Sequence, residues 1–135
     1  MLTFNGDPDS NQAAYFATTM EDVCPLADYF VTFNLRNVLA VPSGSENDVR
    51  LVIRTGGESG SIIVDGDSNP QIISADESDG WIKVGLRLKA DTDGILDFRL
   101  ENDLTERNGN DFAIDDMKIS NDPTSINGSD IIIIE

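Results

Sequence analysis

The sequence predicts an all-β domain, a sandwich or barrel of antiparallel strands, on three observations. Apolar residues recur at every second position through most of the chain, the repeat of a half-buried strand. Helical periodicity is nearly absent. Between the alternating runs lie segments dense in Gly, Asn, Asp and Pro, among them "VPSGSEND", "TGGESG", "ADESDG", "ADTDG" and "ERNGND", where a backbone reverses. At 135 residues the chain has the length of one domain, and a domain of that size buries roughly two thirds of its unfolded surface without needing staples.

Taken in order, "DSNQAAYFATTMEDV" admits a short helical turn, but its Thr, Tyr and Phe content fits a strand from Ala14 to Thr19 equally well. "YFVTFNLRNV" puts Tyr29, Val31, Phe33 and Leu35 on one face and Thr32, Asn34 and Arg36 on the other. "DVRLVIRT" turns Val49, Leu51 and Ile53 inward and Arg50 and Arg54 outward. "DGDSNPQIISAD" has oxygen-bearing residues at alternate positions, Asp65, Asp67 and Asn69, like a calcium loop. Pro70 stands where an EF-hand requires glycine, so the segment reads as a hairpin turn. "GWIKVGLRLKA" places Ile82, Val84, Leu86 and Leu88 inward against Lys83, Arg87 and Lys89, and "GILDFRLEN" places Leu96, Phe98 and Leu100 against Asp97, Arg99 and Glu101. Cations on strand faces invite cross-strand ion pairs, such as Arg50 or Arg54 with Asp97 or Glu101.

Composition removes whole classes of function. The chain has no histidine and one cysteine, Cys24, which excludes a Ser-His-Asp triad, a Cys/His zinc site and an intramolecular disulfide. Nothing near Cys24 would activate it, so it reads as a small buried thiol. A net charge of −16 opposes binding to nucleic-acid phosphates and favours solubility and cation binding. No apolar run reaches the roughly 20 residues of a membrane-spanning helix. "MLTFNGDPDSNQ" lacks the basic and apolar regions of a secretory signal, so either the chain is cytosolic at synthesis or it has been cut from a longer precursor.

"GNDFAIDDMKIS", residues 109–120, resembles the closing strand of a family of bacterial extracellular jelly-roll domains. These are galactose-binding-like and carbohydrate-binding-module-like β-sandwiches whose last strand commonly reads GNDFALDD. "MLTFNGDPDSNQ" resembles the family's early strand and turn, "ADYFVTFNLRNV" its Tyr- and Phe-bearing strand, and "DGWIKVGLRLKADTDGILDFRLEN" its paired Trp-containing and apolar strands. The resemblance covers residues 1–120 and implies an antiparallel jelly-roll sandwich. It departs at both ends: the family's usual opening strand is missing, and residues 121–135 form an extension ending in "DIIIIE". Ile131, Ile132, Ile133 and Ile134 have high β propensity and would invite aggregation if left bare. They are expected to form a strand in the vacant place, in their own sheet or in a neighbouring subunit's.

Asp115 and Asp116 cannot flank a sugar together, because adjacent strand residues point to opposite faces; one must turn inward and find a partner. Calcium, with its six to eight oxygen ligands, is a natural candidate. The resemblance implies the same, with Asp111, Asp115 and Asp116 facing Asp7, Asp9 and Asn11. Equally, Asp111 caps a turn and Asp115 or Asp116 accepts backbone N–H groups. Phe16 and Phe30 each sit beside a tyrosine, so one member of each pair faces out and is a candidate for ligand or subunit contact, as is Trp81.

An enzyme is the least expected class, for want of a histidine, a phosphate-binding glycine loop or an activated nucleophile. Two readings remain. In the first, favoured by the missing signal and the unusual ends, the chain is a decoration or cement protein on a virion surface. It would form a homo-oligomer, such as a trimer, and grip a capsid. In the second it is a calcium-stabilised glycan-binding module of an extracellular or cell-surface bacterial protein. Neither involves nucleic acid or membrane insertion.

Overall fold

The computed structural model describes residues 1–4, 14–38, 49–57, 59–102 and 111–135, and among them the fold is a jelly-roll β-sandwich. Ten strands run in chain order: β1 (Leu2–Phe4), β2 (Ala14–Met20), β3 (Asp28–Asn37), β4 (Val49–Thr55), β5 (Ser61–Ile62), β6 (Ile72–Ala75), β7 (Ile82–Lys89), β8 (Leu96–Asn102), β9 (Phe112–Ser120) and β10 (Ile131–Ile134). The first sheet has the order β1-β9-β3-β7-β10. In the second, β2-β8-β4 continues to β5 and β6, which lie one after the other along the far edge of β4. Apart from β4 to β6, which stay in the second sheet, the chain passes from sheet to sheet between β1 and β9, as a jelly roll does.

The inward rows meet as the alternation predicts. Val31, Phe33 and Leu35, Val49, Leu51 and Ile53, Val84, Leu86 and Leu88, and Leu96, Phe98 and Leu100 are all buried in one core. Fully burying each such side chain contributes about 1.5–3 kcal/mol, so these rows dominate what holds the sheets together. Between β5 and β6 the excursion predicted as a hairpin turn is one. The Asp65 carboxylate accepts the amides of Asp67 at 2.9 Å and Asn69 at 3.0 Å, and Ser68 takes φ 66°. Those amides hold the Asp65 carboxyl below the usual carboxylate range.

Three features differ from expectation. The sheets are antiparallel except at β10, which runs parallel to β7 within the chain's own sheet. Its isoleucines divide: Ile133 is buried and Ile131 half-buried, while Ile132 and Ile134 remain exposed. The Gln71 amide donates to the carbonyls of Ile134 at 3.1 Å and Val64 at 3.2 Å, tying this edge to the second sheet. Cys24 is exposed rather than buried, in the turn before β3, where its N–H donates to the Tyr29 hydroxyl at 3.0 Å. Finally, neither Asp115 nor Asp116 turns inward; both are exposed. The reason is a bulge that also shapes the site described next.

Candidate functional site: a groove on the outer face of the first sheet

On the paired strands β3 and β9, Thr32 stands opposite Lys118 and Asn34 opposite Asp115, so Phe33 alone faces both Asp116 and Met117. The extra residue is a β-bulge. Asp116 adopts φ 56°, a left-handed conformation that Asp tolerates better than most non-glycine residues. The slip resets the alternation: Phe112 and Ile114 face the core before it, and Met117 and Ile119 pack on the core after it. Without the slip, Asp116 would share the inward face of Ile114. The bulge therefore delivers both carboxylates to the outside.

Beyond β9 the chain crosses this outer face before joining β10. Residues 121–130 form a strap that contacts β3 and β7 through a 3₁₀ turn, Pro123–Ile126. The Asp122 carboxylate caps the turn, accepting the Thr124 amide at 2.9 Å and its hydroxyl at 2.8 Å. Those two donors hold the Asp122 carboxyl below the usual range. The far end of the strap is pinned to β7 by a reciprocal pair. Asp130 N–H donates to the Lys83 carbonyl at 2.8 Å, and Lys83 N–H donates to the Asp130 carboxylate at 2.7 Å. Gly85 makes the crossing possible, since a Cβ there would lie 2.8 Å from Ser129 Oγ and 2.9 Å from Ile126 Cβ.

Strap, bulge and strands enclose a groove of about 660 Å³, within the range of roughly 300–1,000 Å³ of small-molecule sites. Phe30, Thr32 and Asn34 of β3, Lys83 of β7, Asp116, Lys118 and Ser120 of β9 and Ser125 of the strap line it. Phe30 and Thr32 point outward by strand parity yet are each only 7% exposed. Lys118 Nζ lies 3.1 Å from Asp116 Oδ1. The Lys83 ammonium makes no ion pair among the described residues. The Ser125 hydroxyl is buried and without a hydrogen-bond partner among them. Beside the groove, the Asp115 carboxylate sits 3.2 Å from the Met1 amino group and accepts the Asp116 N–H at 2.9 Å. The amino group first, then that amide, lowers its pKa.

The lining offers a carboxylate, an amide, two ammonium groups, hydroxyls and an aromatic side chain. That set can hydrogen-bond a polyhydroxylated ligand. Among the described residues the carboxylate of the lining is that of Asp116.

Of the residues singled out from sequence, the structure brings Phe30 and Asp116 into this groove. Trp81 is 41% exposed, directly before β7 and two positions from Lys83. Phe16 belongs to the second sheet, turned toward the core with its ring centroid 5.9 Å from that of Phe98. Asp111 lies at the head of β9, four residues from Asp115, or about 13 Å along an extended strand, so the two are not brought together. Asp7, Asp9 and Asn11 lie outside the described residues, and among the described residues no three carboxylate or thiol side chains converge on a metal position. Thr32, Asn34, Lys83, Lys118, Ser120 and Ser125 were not anticipated as site residues. Two signals marked the place: a lone glycine inside the β7 pattern, and the slip of apolar phase between Ile114 and Met117.

No family model matches the chain, and no curated protein matches it. Among solved structures, it is similar to the C-terminal domain of EclA, described as a sugar-binding protein, with a TM-score of 0.65 and 17% identity over 88% of this chain and 76% of that one. At that identity the likeness speaks to the fold. No helix among the described residues is long and apolar enough to cross a membrane.

Proposed function

We propose that the chain is a non-catalytic glycan-binding module acting outside the cell or at a surface, and that the groove under the strap is its binding site. The observation that carries this reading is the mixed lining of the groove. Asp116 and Asn34 can share the hydrogen bonds of neighbouring sugar hydroxyls, Lys118 holds the Asp116 carboxylate, and the buried Phe30 forms part of the groove's floor. The fold shared with a sugar-binding domain supports it. The capsid-decoration reading finds no such support, and the glycan module takes its place.

The test is a glycan array followed by NMR titration of the groove amides. Asp116→Gly is the variant of choice, because glycine keeps the left-handed bulge while removing the carboxylate. The expected result is glycan-dependent shifts at β3, β9 and the strap that Asp116→Gly abolishes without lowering the melting temperature. Shifts confined to other surfaces, or no binding anywhere on the array, would sink the proposal.

Structural calcium is a separate part of the proposal, with Asp111 as a ligand beside Asp7 and Asp9. The β1–β9 pairing sets Phe4 against Phe112, the residue after Asp111. Repeating the titration after EDTA treatment tests it: a melting temperature indifferent to chelation would count against calcium.

A further inference from the structure

Lys83 and Lys118 are two of only nine cations in a chain of net charge −16, and both line the same groove. Their situations differ. Lys118 is occupied by Asp116, at 3.1 Å, whereas the Lys83 ammonium has no ion-pair partner among the described residues. The Asp130 carboxylate near Lys83 is engaged by the Lys83 backbone N–H, and Asp115 by the Met1 amino group. On the strap, Ser125 adds a buried hydroxyl with no partner among the described residues. A buried polar group left unpaired is destabilising, and a ligand oxygen would relieve it. The distant carboxylates weigh little here, since charges beyond about 8 Å are largely screened at physiological ionic strength.

Resting on the glycan-binding reading, we propose that this groove selects acidic sugars. The carboxylate of a hexuronic acid or a sialic acid would pair with the Lys83 ammonium and accept from the Ser125 hydroxyl, while Asp116 and Asn34 take the ring hydroxyls. Lys83 is thus the residue that sets specificity, and Asp116 one that binds any sugar.

The experiment is calorimetric titration of the whole chain with glucuronate, galacturonate and N-acetylneuraminate, alongside glucose, galactose and acetate, at low and high salt. Each is repeated with Lys83→Met and, as a check that keeps polarity, Lys83→Gln. The expected result is tighter binding of at least one acidic sugar than of its neutral counterpart or acetate. Salt should weaken it, and the loss of one charge-assisted contact in either Lys83 variant should weaken it about tenfold. Affinity for neutral sugars should fall by less than affinity for the acidic ones in those variants. The uronates and N-acetylneuraminate separate the two sources of the carboxylate. Equal binding of neutral and acidic sugars, with both variants silent, overturns the selectivity and leaves the glycan reading standing. Acetate binding as well as the uronates makes the groove a carboxylate site and overturns it too. If no sugar binds, both readings fall.

Discussion

The two outer faces of the sandwich carry similar residue types and resolve them in opposite ways. On the second sheet, Arg54 and Arg99 stand directly opposite each other across β4 and β8, a like-charge pair that would repel. Glu101 lies between them. Its carboxylate accepts from Arg54 Nε at 2.9 and 3.1 Å and lies 3.7 Å from Arg99 Nε, while Arg54 Nη1 donates to the Gly60 carbonyl at 2.7 Å. The three side chains are 21%, 15% and 8% exposed, in the order Arg54, Arg99, Glu101. On the first sheet the Lys118–Asp116 pair is 69% and 58% exposed, and Lys83 lines an open groove. The buried charge network presents little surface to a ligand. An open one adds little stability and stays available.

The sharpest way to break that contrast is Glu101→Ala. Removing the carboxylate leaves two half-buried guanidinium groups facing each other, and breaking a buried pair in this way costs about 3–5 kcal/mol. Urea unfolding should show that loss, with glycan binding by the surviving folded fraction unchanged. A cost below about 1 kcal/mol would mean the triad is solvated like any surface pair.

Gly85→Ala tests the other face. The new methyl would meet Ser129 and Ile126 at under 3 Å, so the strap must lift. Overpacking of this kind costs about 1–3 kcal/mol. Because Ser125 rides on the strap, binding should weaken along with stability. Full affinity in this variant would show that the strap is a cover and not a wall of the site.

How far the sequence reveals these two faces follows from what each depends on. The strands of the core were legible because burial imposes period two on them: the inward rows of β3, β4, β7 and β8 are those the alternation assigns. Even the Arg54–Glu101 pair could be anticipated, since outward residues of neighbouring strands have few partners to choose from. The groove was harder to see. It depends on one inserted residue at Asp116, which reverses the parity of everything after it, and on a crossing that brings Ser125 of the chain's extension over β3. Parity alone sent one of Asp115 and Asp116 inward, and only the slip from Ile114 to Met117 contradicted it. Phe30 illustrates the same limit. Its parity is outward, as read, but nothing local in "DYFVTF" says that a segment about 95 residues later covers it.

The smallest expected effect separates the faces by pH. Asp122 caps the strap, and the Thr124 amide and hydroxyl hold its carboxyl below the usual carboxylate range. A carboxyl whose folded pKa is depressed contributes stability that is fully present above its unfolded pKa and is lost as pH falls through the folded value. Acidification below about pH 4 should therefore loosen the cap and release the Thr124 amide. The Arg54 amide lies in the other sheet, on β4 beside β8, and serves as the reference. Hydrogen exchange or amide shifts at Thr124 and at Arg54, followed from pH 6 to pH 3, would read both at once. Asp122→Asn, which can still cap a turn but does not titrate, should flatten the Thr124 profile and leave the other unchanged. Should Thr124 and Arg54 respond together in the wild type, the strap is not an independent unit, and the contrast between an open and a closed face has to be replaced by one cooperative sandwich.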